Sequence, residues 1–550
     1  MTQLDPGGSY PALPEGPGLT IDEIFNVEQG VYLVELSRSL GWLNLFPGTS
    51  QEGFRKENGF YLPDHPPLGR YWLGVHHHLT WWLFPPFEPD STSPMVTACA
   101  RTGAASAFAL TVLLLGLTTA HWSGPTTGFL TAVSLVLMPR LFGHAHLASL
   151  ETMTNLTCTA AVLSVAHYWN GLRPPNWHVA LVTGFVFGLA MLTKIQGCLL
   201  PIPVVCWALW RWRMQAVVPI VLWSVTGLVV LFLGWPYLWE APWDRLLEYL
   251  GRTTNRSTTY VWYLGQRYAD KMVPWHYPFV LFGLTVPILL HLLGMLAVMP
   301  VAIMRTLGLA QPVEPANTVA PRNVTIPANA RTEHSEFMRA RSRNVLLLMC
   351  LLFPLLVFAA PGVAVYDGER LFLTVFPLWV IFVGQGWMIV WNWLLVSTKS
   401  LTTTVAIVTM GLIATAIPLV RTAPCHLCYY NEIVSALGGI DRLGLELDYW
   451  GTGITRRLLQ QAVQKMPQGA AVAVVPTLHQ FQAAEYRRQS PVLRSHAVKT
   501  VEYHEDPSLK YVLVYRRLAD LPTMFEQSQV NQEWTILEDH ATAYFAQRRE

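Results

Sequence analysis

Long apolar stretches recur along the chain from about residue 100 to residue 421, with short polar segments between them. Since a helix needs about 17 to 25 mainly apolar residues to cross a bilayer, the pattern predicts roughly ten membrane spans. The predicted spans lie near residues 100–122, 126–141, 145–169, 178–193, 197–210, 216–235, 277–300, 345–360, 371–394 and 402–421. The short stretches at 126–141 and 197–210 favour tilted or broken helices packed within protein rather than lipid-facing ones.

The composition also indicates a polytopic membrane protein. Hydrophobic residues make up 52% of the chain and charged residues only 13%, which is too little charge for an ordinary soluble multidomain protein. The net charge of +2 is too small to indicate nucleic-acid binding. Most of the seven cysteines lie in or beside apolar stretches, so we interpret those as small hydrophobic residues and not as a disulfide framework.

Basic residues in alternate loops predict the orientation in the membrane. With the acidic N-terminal stretch placed outside, the loops around Arg173, Arg211 and Lys399 are cytoplasmic by the positive-inside rule. The segment 301–344 is rich in Pro, Ala, Asn and Arg without periodicity, which predicts a disordered cytoplasmic linker. The number of spans then places the C-terminal region outside.

These patterns divide the part of the chain before residue 425 in two. Residues 1–94 are predicted to form an N-terminal segment and a first outer loop, in which the aromatic stretch from Tyr71 to Trp82 predicts an interfacial helix. Residues 95–424 are predicted to form the transmembrane core, with a second outer loop at 236–276.

Residues 425–550 differ in composition from the membrane core. Strand patterns occur at 470–476 and 510–515, and helical patterns occur near 451–466 and 477–488. The combination predicts a small exoplasmic α/β domain.

An acidic pair, Asp22 and Glu23, stands just after Thr20 near the start of the chain. Thr20 and Glu23 have the spacing of a helix capping box, which accounts for the acids without any catalysis. Alternatively, a water-accessible carboxylate at the mouth of the membrane core can accept a proton from an attacking hydroxyl. Adjacent residues on one helical turn point in different directions, so only one of the two acids can be that base.

The stretch His65-Pro-Pro-Leu-Gly-Arg70 precedes the aromatic helix. Its two prolines favour an extended entry to that helix. Arg70 is either a lipid-headgroup anchor or a ligand for the phosphate of a lipid-linked substrate, for which its planar guanidinium is suited.

Further charged residues lie at three outer ends of apolar stretches, where ionisable groups are costly. Structural salt bridges are one interpretation, and a cationic site for a lipid phosphate is the other, with Glu151 as a partner for Arg140 or for an acceptor. The candidate residues are Arg140, His144, His146 and Glu151 at the first end, Lys194 at the second, and Asp367, Glu369 and Arg370 at the third.

Metal binding is a weaker interpretation of the same region. His144, His146 and Glu151, or the three histidines at 76–78, match no strong zinc signature, so we expect no metal and no other cofactor. The Cys425-His-Leu-Cys428 sequence lies in a predicted oxidising compartment, which favours a local disulfide over a redox or metal role.

In the order of these motifs, the chain resembles the bacterial relatives of the protein O-mannosyltransferases. That family is the dolichyl-phosphate-mannose-protein mannosyltransferase type, glycosyltransferase family 39, with the GT-C fold. The resemblance covers about residues 18–395 and depends on Asp22-Glu23, His65-Pro-Pro-Leu-Gly-Arg70, Arg140 to Glu151, Lys194 and Gly368-Glu-Arg370-Leu-Phe-Leu.

The resemblance implies an α-helical polytopic enzyme in the bacterial inner membrane that transfers a sugar from a polyprenyl-phosphate donor with inversion. Asp22 would be the general base, Glu23 its neighbour in acceptor positioning, and Glu151 a second acid on the floor of an exoplasmic site. Arg70, Lys194 and Arg370 would contact the phosphate or the pyranose. The sugar, mannose or another hexose, and the acceptor, a protein, lipid or glycan, stay open.

Three features depart from the family. Its members have a membrane span ahead of the acidic loop, and none precedes Asp22 here, so we expect an incomplete N-terminus or a start assigned too late. The motif ending in Arg70 commonly ends in Lys, and the C-terminal α/β domain replaces a different insertion. The rival hypothesis is a carrier that moves a polyprenyl phosphate or another anionic lipid without transferring sugar. Such a carrier has no use for the carboxylate of Asp22.

Overall fold

The structure, a computed structural model, describes residues 3–39, 63–90, 92–254, 258–300, 328–476, 480–503, 508–525 and 533–549. Helices make up most of the chain as far as Arg421, and a domain of short helices and a five-stranded sheet follows. The predicted fold class, a helical polytopic membrane protein with a small C-terminal α/β domain, is confirmed.

The helical part runs over fifteen helices in the described residues. They are α1 (Ile21–Ser39), α2 (Leu68–Leu83), α3 (Thr97–Ser123), α4 (Pro125–Val136), α5 (Pro139–His144), α6 (Glu151–Tyr168), α7 (Trp177–Thr193), α8 (Pro201–Trp212), α9 (Val217–Gly234), α10 (Pro242–Thr254), α11 (Tyr277–Thr285), α12 (Ile288–Val298), α13 (Ala328–Ala359), α14 (Val375–Thr398) and α15 (Leu401–Arg421).

Each predicted span overlaps one or two of these helices, but fewer than ten are long and apolar enough to cross a bilayer alone. Within the described ranges, five helical segments meet both criteria, and a sixth is added if α11 and α12 count as one span. The five are Thr97–Ser123, Ile195–Gly234, Met338–Ala359, Val375–Thr398 and Leu401–Arg421. The chain is an integral membrane protein, and the number of ten spans stays a prediction.

The predicted span at 277–300 consists of two helices that meet at a sharp bend. Helices α11 and α12 meet at an angle of 112° across Val286 and Pro287. Val286 has extended backbone angles because a residue before proline is disfavoured in the helical region. The break was therefore readable from Pro287, within an otherwise continuous apolar stretch.

The predicted disordered linker is wrong over its last part, because the chain there is helical. Residues 301–327 lie outside the described residues, but a helix begins at Ala328 and continues to Ala359. Between Ala328 and Asn344 the sequence has no Gly or Pro and is rich in good helix formers. The apolar residues from 345 onward are therefore the second part of a longer helix, and position 345 is not its start.

Helix α14 lies at the centre of the membrane core. Ten consecutive residues, 375–384, are buried, which is typical of a helix surrounded by protein on all sides. In α15 only Thr404, Val408 and Thr415 are buried, so most of its surface is open to lipid.

The C-terminal sheet has the strand order β4-β3-β5-β7-β6, with β3 parallel to β4 and β5, and β7 antiparallel to β5 and β6. Its strands are β3 (Ala471–Val475), β4 (Lys499–Val501), β5 (Tyr511–Tyr515), β6 (Trp534–Asp539) and β7 (Ala543–Arg548), and the hairpin β1 (Tyr260–Tyr263) and β2 (Gln266–Ala269) precedes them in the chain. The predicted strands at 470–476 and 510–515 are β3 and β5.

The predicted helices of this domain are also present, as Arg456–Gln464 and Gln480–Gln489. Strands β4, β6 and β7 were not predicted, because they are short or interrupted by polar residues. Alternating residues of β3 and β5 enter two hydrophobic clusters, one on each face of the sheet.

Candidate active site

A cavity of about 1110 Å³ lies where the helical part meets the α/β domain. Its apolar lining includes Ile195 and Leu371, together with Phe358 at the end of α13. Its polar and charged lining includes Asp22, Asn26, Asp64, His65, Arg70, Lys194, Gln196, Lys271, Asp367, Arg370, Gln482, Arg517 and Asp520. The volume is slightly above the usual range for ligand pockets, so a substrate larger than one sugar ring fits.

Arg370 binds three carboxylates that are far apart in the sequence. Its Nη2 lies 2.5 Å from Asp22 Oδ2, its Nε 2.7 Å from Glu151 Oε1, and its Nη1 2.8 Å from Asp367 Oδ2. The guanidinium also lies over the ring of Trp450, 4.6 Å from its centre. Arginine suits this role because its planar group presents donors in several fixed directions.

Lys194 joins the same cluster from the end of α7. Its Nζ lies 2.6 Å from Glu151 Oε1, the oxygen that Arg370 also contacts. Glu151 begins α6 and is buried, so two cations compensate one buried carboxylate. The structure thus brings together Asp22, Glu151, Lys194 and Arg370, as the sequence predicted.

Asp22 is the accessible acid of the N-terminal pair. It lies in the first turn of α1, and 34% of its side chain is exposed. The start of α1 is fixed by the α/β domain, because Tyr486 Oη donates to the carbonyl of Leu19 at 2.5 Å and the amide of Gly18 donates to the carbonyl of Thr452 at 2.8 Å. A Cβ on Gly18 would lie 2.4 Å from the carbonyl oxygen of Ile454, so only glycine permits this approach.

The predicted catalytic role of Glu23 is wrong in its geometry. Glu23 is fully buried, and Arg101 binds both of its oxygens at 2.7 Å. It also accepts the amide of Thr20 at 3.0 Å and the amide of Ala148 at 2.5 Å. The capping-box interpretation was correct here, and Glu23 helps to fix α1 instead of facing the cavity.

The His65 to Arg70 stretch does line the cavity, but Arg70 is already paired. Its Nη1 and Nη2 lie 2.5 and 3.0 Å from the two oxygens of Asp64, and its Nε donates to Asn26 at 3.2 Å. Burial lowers the pKa of His65 to about 4, and the nearby cations, Arg70 first, act in the same direction. His65 is therefore neutral at physiological pH.

Arg140 was placed wrongly by the sequence argument. It is buried outside the cavity lining, with Nη1 2.6 Å from Glu369 Oε2 and Nε donating to the carbonyl of Tyr429 at 2.7 Å. It does not pair with Glu151, whose Oε1 is contacted by Lys194 and Arg370 instead. The salt-bridge alternative was correct for Arg140, which braces the segment just before Arg370.

His144 and His146 lie near Arg140 and also outside the cavity lining. His144 Nε2 lies 3.7 Å from Glu369 Oε1. His146 Nδ1 is 2.8 Å from the carbonyl of Phe142, and its ring packs against His426. Both have structural contacts in this position, and their predicted contact with the donor stays a prediction.

The described residues contain no group of three or more His, Cys, Asp and Glu side chains that could hold a metal ion. The predicted local disulfide is wrong, because Cys425 and Cys428 are free, and Cys425 Sγ donates to the carbonyl of Thr452 at 3.3 Å. The short turn His426–Cys428 separates the two thiols.

Four charged lining residues and Trp450 were missed by the sequence argument. Asp64 stood next to His65 in a motif already singled out, and its charge was the available signal. Trp450 and the C-terminal residues carried no local signal, because a fold is needed to bring residues so far along the chain to the N-terminal acid. The missed residues are Asp64, Lys271, Trp450, Arg517 and Asp520.

The fold and cavity define a polytopic membrane protein with an accessible carboxylate held among cations. The family model described as dolichyl-phosphate-mannose-protein mannosyltransferase matches residues 39–249. Over these residues the chain is similar to this glycosyltransferase family, in line with the resemblance, and the matched region is shorter than residues 18–395.

Solved structures give a further comparison. The crystal structure of ArnT from Cupriavidus metallidurans in the apo state is 12% identical, with 99% of this chain and 95% of that chain covered and a TM-score of 0.44. The structure of the same protein bound to undecaprenyl phosphate is 13% identical, with 96% and 94% covered and a TM-score of 0.42. No curated protein sequence matches the chain.

Proposed function

We propose that the protein is an inverting glycosyltransferase that moves a hexose, such as mannose, from a polyprenyl-phosphate donor to an acceptor hydroxyl at the exoplasmic face of the bacterial inner membrane. The observation that carries the proposal is the convergence of Asp22, Lys194 and Arg370 in one cavity. The family match supports the sugar transfer, since the family is named for a sugar donor linked to a lipid phosphate.

The lining of the cavity suits a donor with a lipid tail. Phe358 lies one residue from the end of the candidate span Met338–Ala359, so the apolar side of the cavity is at the edge of the membrane region. The cations Lys194 and Arg370 lie on the same cavity and can bind a phosphate. The prenyl chain then enters from the bilayer, with its phosphate at the cation cluster.

Asp22 is the proposed base. As the acceptor hydroxyl attacks the anomeric carbon, its proton passes to the Asp22 carboxylate, and the bond from that carbon to the lipid phosphate breaks on the opposite face. Lys194 has further N–H groups besides the one that contacts Glu151, and these can stabilise the leaving phosphate. The neutral His65 can donate a hydrogen bond without adding charge.

The test uses membranes that contain the protein and polyprenyl phosphates carrying different radiolabelled sugars. We expect one label to move to a protein, lipid or glycan fraction, and Asp22→Asn to lower its rate by about 10²- to 10⁴-fold, the usual contribution of a general base. Asp244→Asn is a matched control, because Asp244 also lies in the first turn of a helix but outside the cavity lining.

The outcomes separate this proposal from the carrier. Full turnover by Asp22→Asn would show that the base is misassigned. Movement of labelled lipid across the bilayer, with no sugar transfer by the wild type, would favour the carrier.

A further inference from the structure

Arg517 connects the α/β domain to the charged cluster of the cavity. It lies just after β5, and only 9% of its side chain is exposed. Its Nη2 is 3.2 Å from Asp367 Oδ1 and its Nε 2.7 Å from Asp520 Oδ2, while its Nη1 donates to the carbonyl of Tyr449 at 2.6 Å. One guanidinium therefore holds two segments of its own domain and one carboxylate of the membrane core.

Asp367 lies between two arginines. Its Oδ1 faces Arg517, and its Oδ2 is 2.8 Å from Arg370 Nη1. The other terminal nitrogen of Arg370 contacts Asp22. Two ion pairs thus separate Arg517 from the Asp22–Arg370 pair.

The backbone at Asp367 needs external support. Asp367 has a φ of 54° and Gly368 a φ of 63°, so two successive residues adopt left-handed conformations, separated from Arg370 only by Glu369. Aspartate tolerates this region better than most residues, but such conformations persist only where the surroundings determine them. The two arginines that bind the Asp367 side chain provide that support.

The same domain also holds the other half of the Asp22–Arg370 pair. Gln482 Nε2 donates to the carbonyl of Ile21 at 2.9 Å, and Tyr486 holds Leu19, so the first turn of α1 is docked on the α/β domain. The base and its arginine therefore share one support outside the membrane core.

We propose that Arg517 is a positioning residue for sugar transfer. By fixing the turn at Asp367, it keeps the guanidinium of Arg370 in contact with the carboxylate of Asp22. The proposal rests on the proposed function. It makes the α/β domain a part of the active site, in place of a separate lid. Displacement of a reacting group by about 1 Å can cost about 10²-fold in rate, which sets the size of the expected effect.

The experiment compares Arg517→Gln with Arg516→Gln in the full-length protein. Arg516 is the adjacent residue of the same domain and binds Asp539 at 2.7 Å, but it does not line the cavity. Both changes remove one cation; Arg517→Gln removes two ion pairs, with Asp367 and Asp520, and Arg516→Gln removes one, with Asp539. We expect Arg517→Gln to lower kcat about 100-fold with a donor KM within about threefold of wild type, and Arg516→Gln to change kcat less than about twofold.

A double mutant tests whether Arg517 acts through Asp367. If it does, Asp367→Asn with Arg517→Gln should lose no more activity than Asp367→Asn alone, because residues acting as one unit are not additive. Losses that multiply would overturn the proposal, as would an unchanged kcat in Arg517→Gln.

A conservative variant covers the case in which Arg517→Gln does not fold, judged by its thermal unfolding. A lysine at 517 can reach Asp367 but cannot hold Asp520 and the Tyr449 carbonyl at the same time, so we expect kcat to fall about tenfold in Arg517→Lys. Turnover equal to that of Arg516→Lys would overturn the proposal. Wild-type protein without any sugar transfer would instead overturn the proposed function, and the positioning role with it.

Discussion

Replacement of Arg370 by lysine is the most direct test of the charge cluster. The change keeps the positive charge but replaces three donors that point in different directions by one ammonium group. In the protein, Nη2, Nε and Nη1 of Arg370 each contact a different carboxylate within 2.8 Å. A lysine at this position can hold one of them well, and at least two contacts are lost.

The size of the effect follows from those contacts. A hydrogen bond to a charged group contributes about 1.5–3 kcal/mol, so two lost contacts weaken the cluster by about 3–6 kcal/mol. Solvent screening is weak at Arg370, whose side chain is 10% exposed, but stronger at Asp22, which is 34% exposed. We therefore take the lower part of that range. The loss of one hydrogen-bond donor to a developing negative charge costs a similar free energy, and it lowers kcat about 10²- to 10³-fold.

The assay measures sugar transfer by purified protein in lipid vesicles over a range of donor concentrations. Arg245→Lys is the matched control, because Arg245 also joins two carboxylates, Glu240 at 3.3 Å and Glu248 at 3.1 Å, and does not line the cavity. We expect the control to stay within about twofold of wild type, as for other exposed ion pairs. A folded Arg370→Lys protein with kcat within about threefold of wild type would refute the role of the three carboxylate contacts of Arg370.

Two further predictions concern the residues around the cluster. Glu23→Gln removes one partner of a buried ion pair with Arg101, so we expect the free energy of unfolding, measured by thermal unfolding, to fall by about 3–5 kcal/mol. Turnover of the folded protein should fall much less than it does in Asp22→Asn. Equal effects of the two variants on turnover would contradict this. The pKa of His65 is about 4 in the folded protein and about 6.5 in the unfolded chain. The unfolded chain therefore binds the proton first as the pH falls, so the stability that neutral His65 contributes is complete above about pH 6.5 and is lost toward pH 4. His65→Gln should flatten the decline of stability with falling pH in that window, and an unchanged slope in unfolding measurements from pH 4 to 7 would contradict the assignment.

Several elements could be predicted because their signal is local. The apolar stretch at 402–421 became α15, and the short apolar run at 470–476 became β3, since the length and composition of a run limit what the backbone can form. Lys194 and Arg370 could be singled out because charged side chains are rare beside apolar stretches. The structure places both of them on the cavity.

The roles of neighbouring acids could not be predicted in the same way. Asp22 and Glu23 are adjacent, and both fit a helix start by composition. Their difference depends on Arg101, which lies 78 residues further on and turns Glu23 inward. The pairing of Arg140 with Glu369 likewise depends on contact across 229 residues.

The order of apolar and charged residues alone determined that the chain is a helical membrane protein with an α/β domain, and which charges are costly enough to require partners. Only the tertiary structure decided which carboxylate each cation binds, that Asp22 faces the cavity while Glu23 does not, and that Arg517 reaches the same cluster. The physical reason is range. Helix and strand formation depend on residues a few positions apart, whereas an ion pair forms between whichever charges the packing of distant elements brings within about 3 Å.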